Sequence, residues 1–152
     1  MTELELGRTT DRRPPFKYSA LTRVGFSDTD AQGVVYYGRY LPYFDLARVE
    51  YHRHLGLRMG RGEAEYVMRA VQVEYHAPAR FDDTIEVFVR LARIGRTSAT
   101  FEHAAYLYED DRLMVTAHQT VVLVELASRT PCPIPEDYRV AVRAFEGGDL
   151  EE

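Results

Sequence analysis

The sequence predicts an α+β domain in which a five-stranded antiparallel sheet wraps around one long central helix. Two observations support this. One stretch of the 152-residue chain has the spacing of an amphipathic helix, and stretches after it alternate apolar and polar residues as strands do. The predicted strands are separated by short turn sequences, which join antiparallel neighbours. Because a single helix covers one face of such a sheet, the sheet is expected to curve around it.

The long helix is predicted over residues 39–55. Aromatic and small apolar residues recur there at helical spacing, at Tyr40, Phe44, Ala47 and Tyr51. Pro42 suits the first turn of a helix, and Gly56 suits the position after its end. Charged residues lie between the apolar positions, as expected for a helix with one buried face.

One strand is predicted before the helix and four after it. The four later strands cover residues 65–76, 84–94, 97–108 and 113–126. Val71, Val73 and Tyr75 share one side of the first of these, and the second (TIEVFVRLARI) alternates throughout. The final stretch PIPEDYRVAVRAF predicts a short terminal helix that begins near Pro135.

The chain length suits one domain with its own core. Residues 1–15 carry charges and two prolines without periodicity, so a flexible N-terminal segment is predicted there. Residues 16–145 are predicted to form the single domain. Residues 146–152 (EGGDLEE) are predicted to form a flexible acidic tail.

Composition excludes several classes of protein. The formal net charge of −5 argues against general nucleic-acid binding, which usually needs a basic patch. No apolar run approaches the roughly 20 residues of a membrane span, and the first fifteen residues do not read as a signal peptide, so a cytoplasmic location is expected. The only cysteine, Cys132, excludes an intrachain disulfide and a cysteine metal cluster.

Residues 24–40 (VGFSDTDAQGVVYYGRY) place two aspartates where a strand gives way to the helix. Aspartates in a glycine-bearing loop ordinarily form turns or cap helices, and Asp28 is expected to hold the loop in this way. A carboxylate beside a helix N-terminus, as Asp30 would be, combines a possible nucleophile or base with backbone donors for a negatively charged oxygen.

Calcium binding is the other chemical interpretation of this loop, because its start imitates the ligand spacing of an EF-hand. The twelfth position would be Arg39, where calcium needs a bidentate glutamate. None of the five histidines has the spacing of a metal site or is assigned a role. No metal site is therefore predicted. The nearby tyrosines are candidates either for the core or for the lining of an aromatic pocket: Tyr36, Tyr37, Tyr40 and Tyr43.

The stretch SDTDAQGVVYYGRYLPYFDLAR (27–48) closely resembles the signature of the 4-hydroxybenzoyl-CoA thioesterase-like branch of the hotdog-fold superfamily. The similarity extends over residues 18–138, including GRTS at 95–98. The resemblance implies a hotdog fold and the hydrolysis of acyl-CoA thioesters to a free acid and CoA. It implies that the site is shared between subunits. It also implies that no cofactor is needed, since CoA is part of the substrate.

The resemblance also implies the site residues. The aspartate three residues before the loop glycine is the catalytic carboxylate of this family and corresponds to Asp30. The family's oxyanion donor is the backbone N–H at the position of Tyr37. Many relatives with acyl-CoA activity have a histidine at this position. With its tyrosine, this chain resembles the 4-hydroxybenzoyl enzyme more closely. GRTS resembles the segment that contacts CoA phosphates, which implies Arg96, with Arg93 and Thr97 beside it, as substrate-binding residues.

Two alternatives remain beside hydrolysis. A hotdog dehydratase uses a histidine with an acidic partner near the helix, but no histidine occurs between Ser27 and Tyr51. A non-catalytic acyl-CoA or acyl-carrier binding or interaction protein would keep the same fold. In each case we expect a homo-oligomer, either a dimer or a tetramer of dimers, because one helix cannot cover both sheet faces and an edge strand invites pairing.

Overall fold

The computed structural model describes residues 4–57 and 62–152. Within these ranges it contains seven strands: β1 (Gly7–Arg13), β2 (Phe16–Arg23), β3 (Ala64–Tyr75), β4 (Thr84–Ile94), β5 (Ser98–Leu107), β6 (Arg112–Glu125) and β7 (Thr130–Pro131). Two α-helices are present in the same ranges, α1 (Tyr40–His54) and α2 (Glu136–Glu146). Short 3-10 helices occupy Phe26–Asp28, Tyr37–Arg39 and Gly147–Asp149.

An antiparallel sheet packed on one long helix is confirmed, but the predicted number of strands was wrong. The described residues form seven strands rather than five, and a second helix accompanies the long helix named in the predicted fold class. The additional strands are β1 and β7. The second helix is α2, which the terminal PIPEDYRVAVRAF stretch had indicated as a short helix.

The sheet has the order β1-β2-β4-β5-β6-β3, with β7 paired to β6. Short turns predicted that each late strand would pair with the next, and this holds for β4, β5 and β6. It fails for β3, which pairs with β6 instead of β4, for example through Val71 opposite Gln119. The chain between β3 and β4 therefore crosses to the other side of the sheet, and β3 becomes an edge strand.

Helix α1 packs on the sheet through the residues that its periodicity had indicated. Tyr40, Phe44, Ala47 and Tyr51 are at most 2% exposed. They belong to one apolar core together with the inward residues of β4: Ile85, Val87, Val89 and Leu91. Burying each large apolar side chain stabilises the fold by roughly 1.5–3 kcal/mol. Gly56, with a φ of 76°, adopts the left-handed conformation that commonly ends a helix.

Strand β1 lies within residues 1–15, which were predicted to form a flexible N-terminal segment. Its sequence GRTTDRR has no apolar residue, so no alternation could reveal it. It pairs with β2, and its arginines Arg8 and Arg12 bind the carboxylate of Glu86, which is 2% exposed. Burial opposes the ionisation of Glu86, but hydrogen bonds from Ser19 and Arg12 outweigh it and lower its pKa.

The acidic tail is also attached to the sheet. The Glu151 N–H donates to the Ala92 carbonyl, and its own carbonyl accepts from Ile94, both at 2.9 Å. Lys17 Nζ donates to Asp149 Oδ2 at 2.8 Å. The tail is thus bonded along the end of β4, whereas the limits of the single domain remain a prediction. None of the described helices is long and apolar enough to cross a membrane.

Candidate active site

The loop that contains Asp30 is a tight turn closed by its own backbone. The Asp30 N–H donates to the Val34 carbonyl at 2.9 Å, and the Gly33 N–H donates to the Asp30 carbonyl at 3.0 Å. Gly33 has a φ of 77°, in the region that favours glycine. Asp30 Oδ1 accepts from the Gln32 N–H at 2.8 Å, and Oδ2 has no hydrogen-bond partner among the residues described. One carboxylate oxygen is thus free for a substrate or a water molecule.

Asp28 joins this loop to helix α1. Its Oδ2 accepts from the Gly25 N–H at 2.8 Å and from the Tyr43 hydroxyl at 2.7 Å. Burial, together with the bond to Asp28, raises the pKa of Tyr43 above its ordinary value, so the hydroxyl stays a donor. Arg39 Nε lies 4.0 Å from Asp28 Oδ1. The second aspartate of the motif therefore has a structural environment that differs from that of Asp30.

Tyr37 opens the 3-10 helix that leads into α1. The N–H groups in the first turn of a helix lack intrahelical acceptors, and the Tyr37 N–H finds no other acceptor within the described part of the chain. The Tyr75 hydroxyl, from the end of β3, donates to the Tyr37 carbonyl at 2.9 Å and so fixes the position of this turn. A backbone donor at the positive end of a helix is suited to bind an oxyanion.

Asp30 and Tyr37 line the same cavity of about 340 Å³, which we call the proximal cavity. The start of α1 and the end of β3 complete it with Tyr40, Tyr75 and His76. Of the four tyrosines of the motif, Tyr40 and Tyr43 are buried in the core, whereas Tyr36 and Tyr37 are exposed. The sequence had left both outcomes open.

Sequence analysis missed two residues of this cavity. Tyr75 had been recognised only as part of the apolar side of its strand, and that alternation was the available signal. His76 had been assigned no role; its Nε2 lies 3.1 Å from the Thr116 hydroxyl. Neither position follows from local sequence alone, because β3 reaches the Asp30 loop only through the folded sheet.

The predicted substrate-binding residues Arg93, Arg96 and Thr97 lie elsewhere in the same chain. They occupy the end of β4 and the turn into β5. The Asp30 loop instead bonds to the chain just before β4, for example through the Val24 N–H and the Asp83 carbonyl. The eleven residues of β4 separate these points by roughly 33 Å. The fold of one chain does not bring the arginines to Asp30.

Arg96 projects from a well-braced turn. Its side chain is exposed, while its carbonyl accepts from the Ile134 N–H at 2.9 Å. The guanidinium of Arg139 donates to the carbonyls of Gly95 and Arg96. Within the described ranges, no group of three His, Cys, Asp or Glu side chains is arranged to hold a metal ion.

A family profile described as the thioesterase-like superfamily matches residues 24–142. The chain belongs to this superfamily. The match begins just after β2 and ends within α2. It includes the Asp30 loop and α1, and it therefore spans the whole proximal cavity. The resemblance recognised in the sequence is thereby confirmed.

Two relatives in this superfamily are similar over most of their length. The chain is 34% identical over 117 residues to the acyl-CoA thioester hydrolase YbgC of Escherichia coli O6:H1, covering 75% of this chain and 87% of that protein. It is 29% identical over 128 residues to the acyl-CoA thioesterase YbgC of Haemophilus influenzae, covering 82% and 93%.

A solved structure shows the same fold at lower identity. It is a 1,4-dihydroxy-2-naphthoyl-CoA thioesterase from Synechocystis, with a TM-score of 0.76 and 20% identity, covering 82% of this chain and 93% of that one. The expected hotdog fold is confirmed at this level, with seven strands rather than five in the described residues.

Proposed function

We propose that the protein hydrolyses acyl-CoA thioesters to a free acid and CoA. The observation that carries the proposal is the pairing of two unused groups at one cavity: the Oδ2 atom of Asp30 and the N–H of Tyr37. Membership of the thioesterase-like superfamily supports the reaction type. The names of the Escherichia coli and Haemophilus influenzae relatives support acyl-CoA as the substrate class.

Asp30 acts either as the nucleophile or as the general base. As a nucleophile, its carboxylate attacks the thioester carbonyl, the C–S bond breaks, and water then hydrolyses the resulting anhydride. As a base, it takes a proton from water, whose oxygen attacks the same carbon. In both routes the carbonyl oxygen becomes negative, and the N–H of Tyr37 with the helix dipole of α1 stabilises that charge. The thiolate of CoA leaves and is protonated.

The CoA part of the substrate is proposed to contact a second copy of the chain. Strand β3 is an edge strand that exposes Val67, Met68, Val71 and Tyr75 by 41–49%. Its end lies beside Tyr37, whereas its start pairs with the part of β6 that also meets the start of β5. Antiparallel pairing of β3 with β3 of a partner would therefore bring the Arg96 turn of one chain near Asp30 of the other.

This arrangement makes the protein a homodimer, or a tetramer built from such dimers, with composite sites. Arg96 would hold CoA phosphates, because arginine grips phosphate through two hydrogen bonds. Arg93 and Thr97 would lie beside it at the same end of the sheet. The separation of about 33 Å within one chain is the reason for placing the two halves of the site on different subunits.

The direct test is the substitution Asp30→Asn, which keeps the shape of the side chain and removes its basicity and nucleophilicity. We expect kcat for thiol release from the best acyl-CoA to fall at least ~100-fold, the scale of lost general-base assistance. The unfolding curve should stay unchanged, since Asp30 forms only a local turn contact. Thiol release is measured continuously with a thiol reagent.

Asp28→Asn is the matched control, because it removes the other carboxylate of the same loop. It should reduce kcat less than Asp30→Asn and reduce stability more, since Asp28 binds the buried Tyr43 hydroxyl. Near-native thiol release by Asp30→Asn would show that the assigned role is wrong. Wild-type protein that binds acyl-CoA without releasing thiol would instead indicate the non-catalytic binding protein.

A further inference from the structure

Three cavities follow one another along the groove between α1 and β3. The proximal cavity contains Asp30. A middle cavity of about 270 Å³ is lined by residues that include Leu41, Arg48, Met68, Val71 and Val121. A distal cavity of about 400 Å³ is lined, among the described residues, by Leu57, Ala64, Leu123, Pro135 and Tyr138.

The order of the cavities follows from the elements that line them. Along α1, Leu41 and Arg48 belong to the middle cavity, and the chain just after the helix, at Leu57, belongs to the distal one. Along β6, Val121 lines the middle cavity and Leu123 lines the distal one. Alternate residues of a strand point to the same face, so the two cavities lie in line on the inner face of the sheet.

The middle cavity continues from the proposed site of reaction. On β3, Val71 lines the middle cavity, and Tyr75, four residues further along the same face of the strand, lines the proximal one. The polar groups at the floor of the middle cavity are already paired: Arg48 Nη1 donates to Gln119 Oε1 at 2.7 Å, and Arg48 Nη2 donates to Asp45 Oδ1 at 2.8 Å. The rest of the lining is largely apolar, which suits an acyl group.

Tyr66 separates the middle cavity from the distal cavity. Among the residues that the structure describes, it is the one shared by the two linings. Its ring lies 5.3 Å from the ring of Tyr138 and 6.5 Å from that of His52, nearly parallel to the latter at 12°. His52 Nε2 is in turn 2.6 Å from the Tyr138 hydroxyl, in the buried interior. The dividing wall is therefore held by packed aromatic rings.

We propose that Tyr66 determines the length of acyl group that the enzyme accepts, an inference that rests on the proposed acyl-CoA hydrolysis. An acyl group whose carbonyl lies at Tyr37 extends past Leu41 into the middle cavity and ends against Tyr66. A cavity of about 150 Å³ accommodates benzene. The middle cavity, at about 270 Å³, therefore suits a short acyl chain or a single aromatic ring, and a longer chain that follows the groove meets the ring of Tyr66.

The test compares kcat/KM for butyryl-CoA, benzoyl-CoA and dodecanoyl-CoA in wild type and Tyr66→Ala. Removing the ring opens the distal cavity, so the ratio of kcat/KM for dodecanoyl-CoA to that for butyryl-CoA should rise about 10-fold or more, the scale of small changes in an apolar specificity pocket. Tyr66→Leu, which keeps more of the packing, should shift the ratio in the same direction. It also serves if the alanine variant fails to fold.

Three control variants distinguish a limit on chain length set by the Tyr66 ring from a general perturbation of the protein. Tyr66→Phe keeps the ring and should leave the ratio unchanged. Tyr108→Ala removes an exposed tyrosine outside all three cavities and should leave activity unchanged. Ala64→Phe, added to Tyr66→Ala, fills the distal cavity and should return the ratio towards the wild-type value.

Binding separates failure of this inference from failure of the proposed function. Alkyl-CoA thioethers cannot be hydrolysed. Calorimetry with butyl-CoA and dodecyl-CoA therefore measures how Tyr66 affects the binding of short and long chains without turnover. Tyr66→Ala should strengthen dodecyl-CoA binding about 10-fold relative to butyl-CoA. If folded Tyr66→Ala and Tyr66→Leu keep the wild-type length profile in both assays, Tyr66 is not the limit. If wild type hydrolyses no acyl-CoA but binding shifts as described, only the proposed hydrolysis fails.

Discussion

Asp28 and Asp30 stand two residues apart and have opposite surroundings. The Asp28 carboxylate accepts hydrogen bonds from a buried hydroxyl and a backbone N–H, and both bonds join the loop to the rest of the fold. One oxygen of the Asp30 carboxylate accepts a hydrogen bond within its own turn, and the other oxygen is free. At the scale of single residues, the hydrogen-bond partners therefore separate a positioning aspartate from a candidate catalytic one.

The positioning role predicts a stability effect for Tyr43→Phe. The change removes only the hydroxyl that donates to Asp28 at 2.7 Å. Hydrogen bonds to charged groups contribute about 1.5–3 kcal/mol, so the free energy of unfolding should fall by that order in urea titrations. Tyr36→Phe is the control, because Tyr36 is 45% exposed and should change stability by less than about 0.5 kcal/mol. Equal effects of the two variants would contradict the anchoring of the loop by Tyr43.

At the scale of elements, two features of the sheet support the proposal that the site is divided between two subunits. Strand β3 passes from the Arg96 end of the sheet to the Asp30 end, and it is an edge. Strand β4 separates the same two ends within one chain. Edge-to-edge pairing of β3 with its copy reverses the direction of the second chain, so each Asp30 would meet the arginine turn of the other subunit.

Mixed dimers test this exchange. Asp30→Asn and Arg96→Ala chains with different affinity tags are co-expressed, and the heterodimer is isolated through both tags. If Asp30 and Arg96 act across the interface, one site contains both wild-type residues and the other contains neither. The kcat/KM at low substrate should then reach about half the wild-type value, as in a control heterodimer of Asp30→Asn with wild type.

The opposite geometry gives a different value. If both residues act within one chain, each site of the heterodimer has one defect, and kcat/KM should equal the mean of the two mutant homodimers. Arg96→Ala alone should raise KM more than it lowers kcat, because a phosphate contact is made before and during the reaction alike. A stable and fully active monomer in light scattering would contradict the shared site.

At the scale of the whole molecule, the core contains two neutral histidines. His52 and His103 are at most 2% exposed. Burial, with the charge of Arg48 nearby, lowers the pKa of each to about 3. His103 stacks on Phe44 at 4.8 Å, and its Nε2 is 2.9 Å from Gln119 Oε1. Nothing in the sequence around His52 and His103 indicated this state; burial, with the charge of Arg48, keeps both side chains neutral.

These histidines predict a loss of stability in mild acid. Between pH about 6.5, the ordinary histidine pKa, and about 3, the unfolded chain binds protons that the native state does not bind. The free energy of unfolding should therefore fall as pH falls, by at most about 1.4 kcal/mol per pH unit for each histidine. Urea unfolding from pH 7 to 4 measures this slope.

The variant His103→Leu isolates one of the two contributions. Its slope between pH 4 and 6 should be smaller than that of wild type by about one proton, or ~1.4 kcal/mol per pH unit. Carboxylates add terms of both signs: the lowered pKa of Glu86 stabilises the fold above its unfolded pKa, and burial raises the pKa of Glu146, whose stabilisation is lost as pH rises. The difference between variant and wild type cancels these terms. An unchanged slope would show that His103 is not neutral in the native state.

The sequence by itself determined the features that depend on neighbouring residues. The spacing of Tyr40 to Tyr51 predicted α1, because a helix repeats locally, and alternation predicted β3 to β6 within a few residues. The loop of Asp30 and Tyr37 was recognised for the same reason. Its glycine, its aspartates and the helix start form one contiguous segment, so the whole signature is visible in the chain.

Only the tertiary structure decided which distant segments meet. Strand β1 has no apolar pattern and is held by arginines that reach Glu86, far along the chain. Three features follow from long-range packing: the pairing of β3 with β6, the position of Asp30 and Arg96 at opposite ends of β4, which is roughly 33 Å long, and the position of Tyr66 between two cavities. Short-range periodicity specifies which face of an element is buried, and the partner of that face is chosen by the complete core.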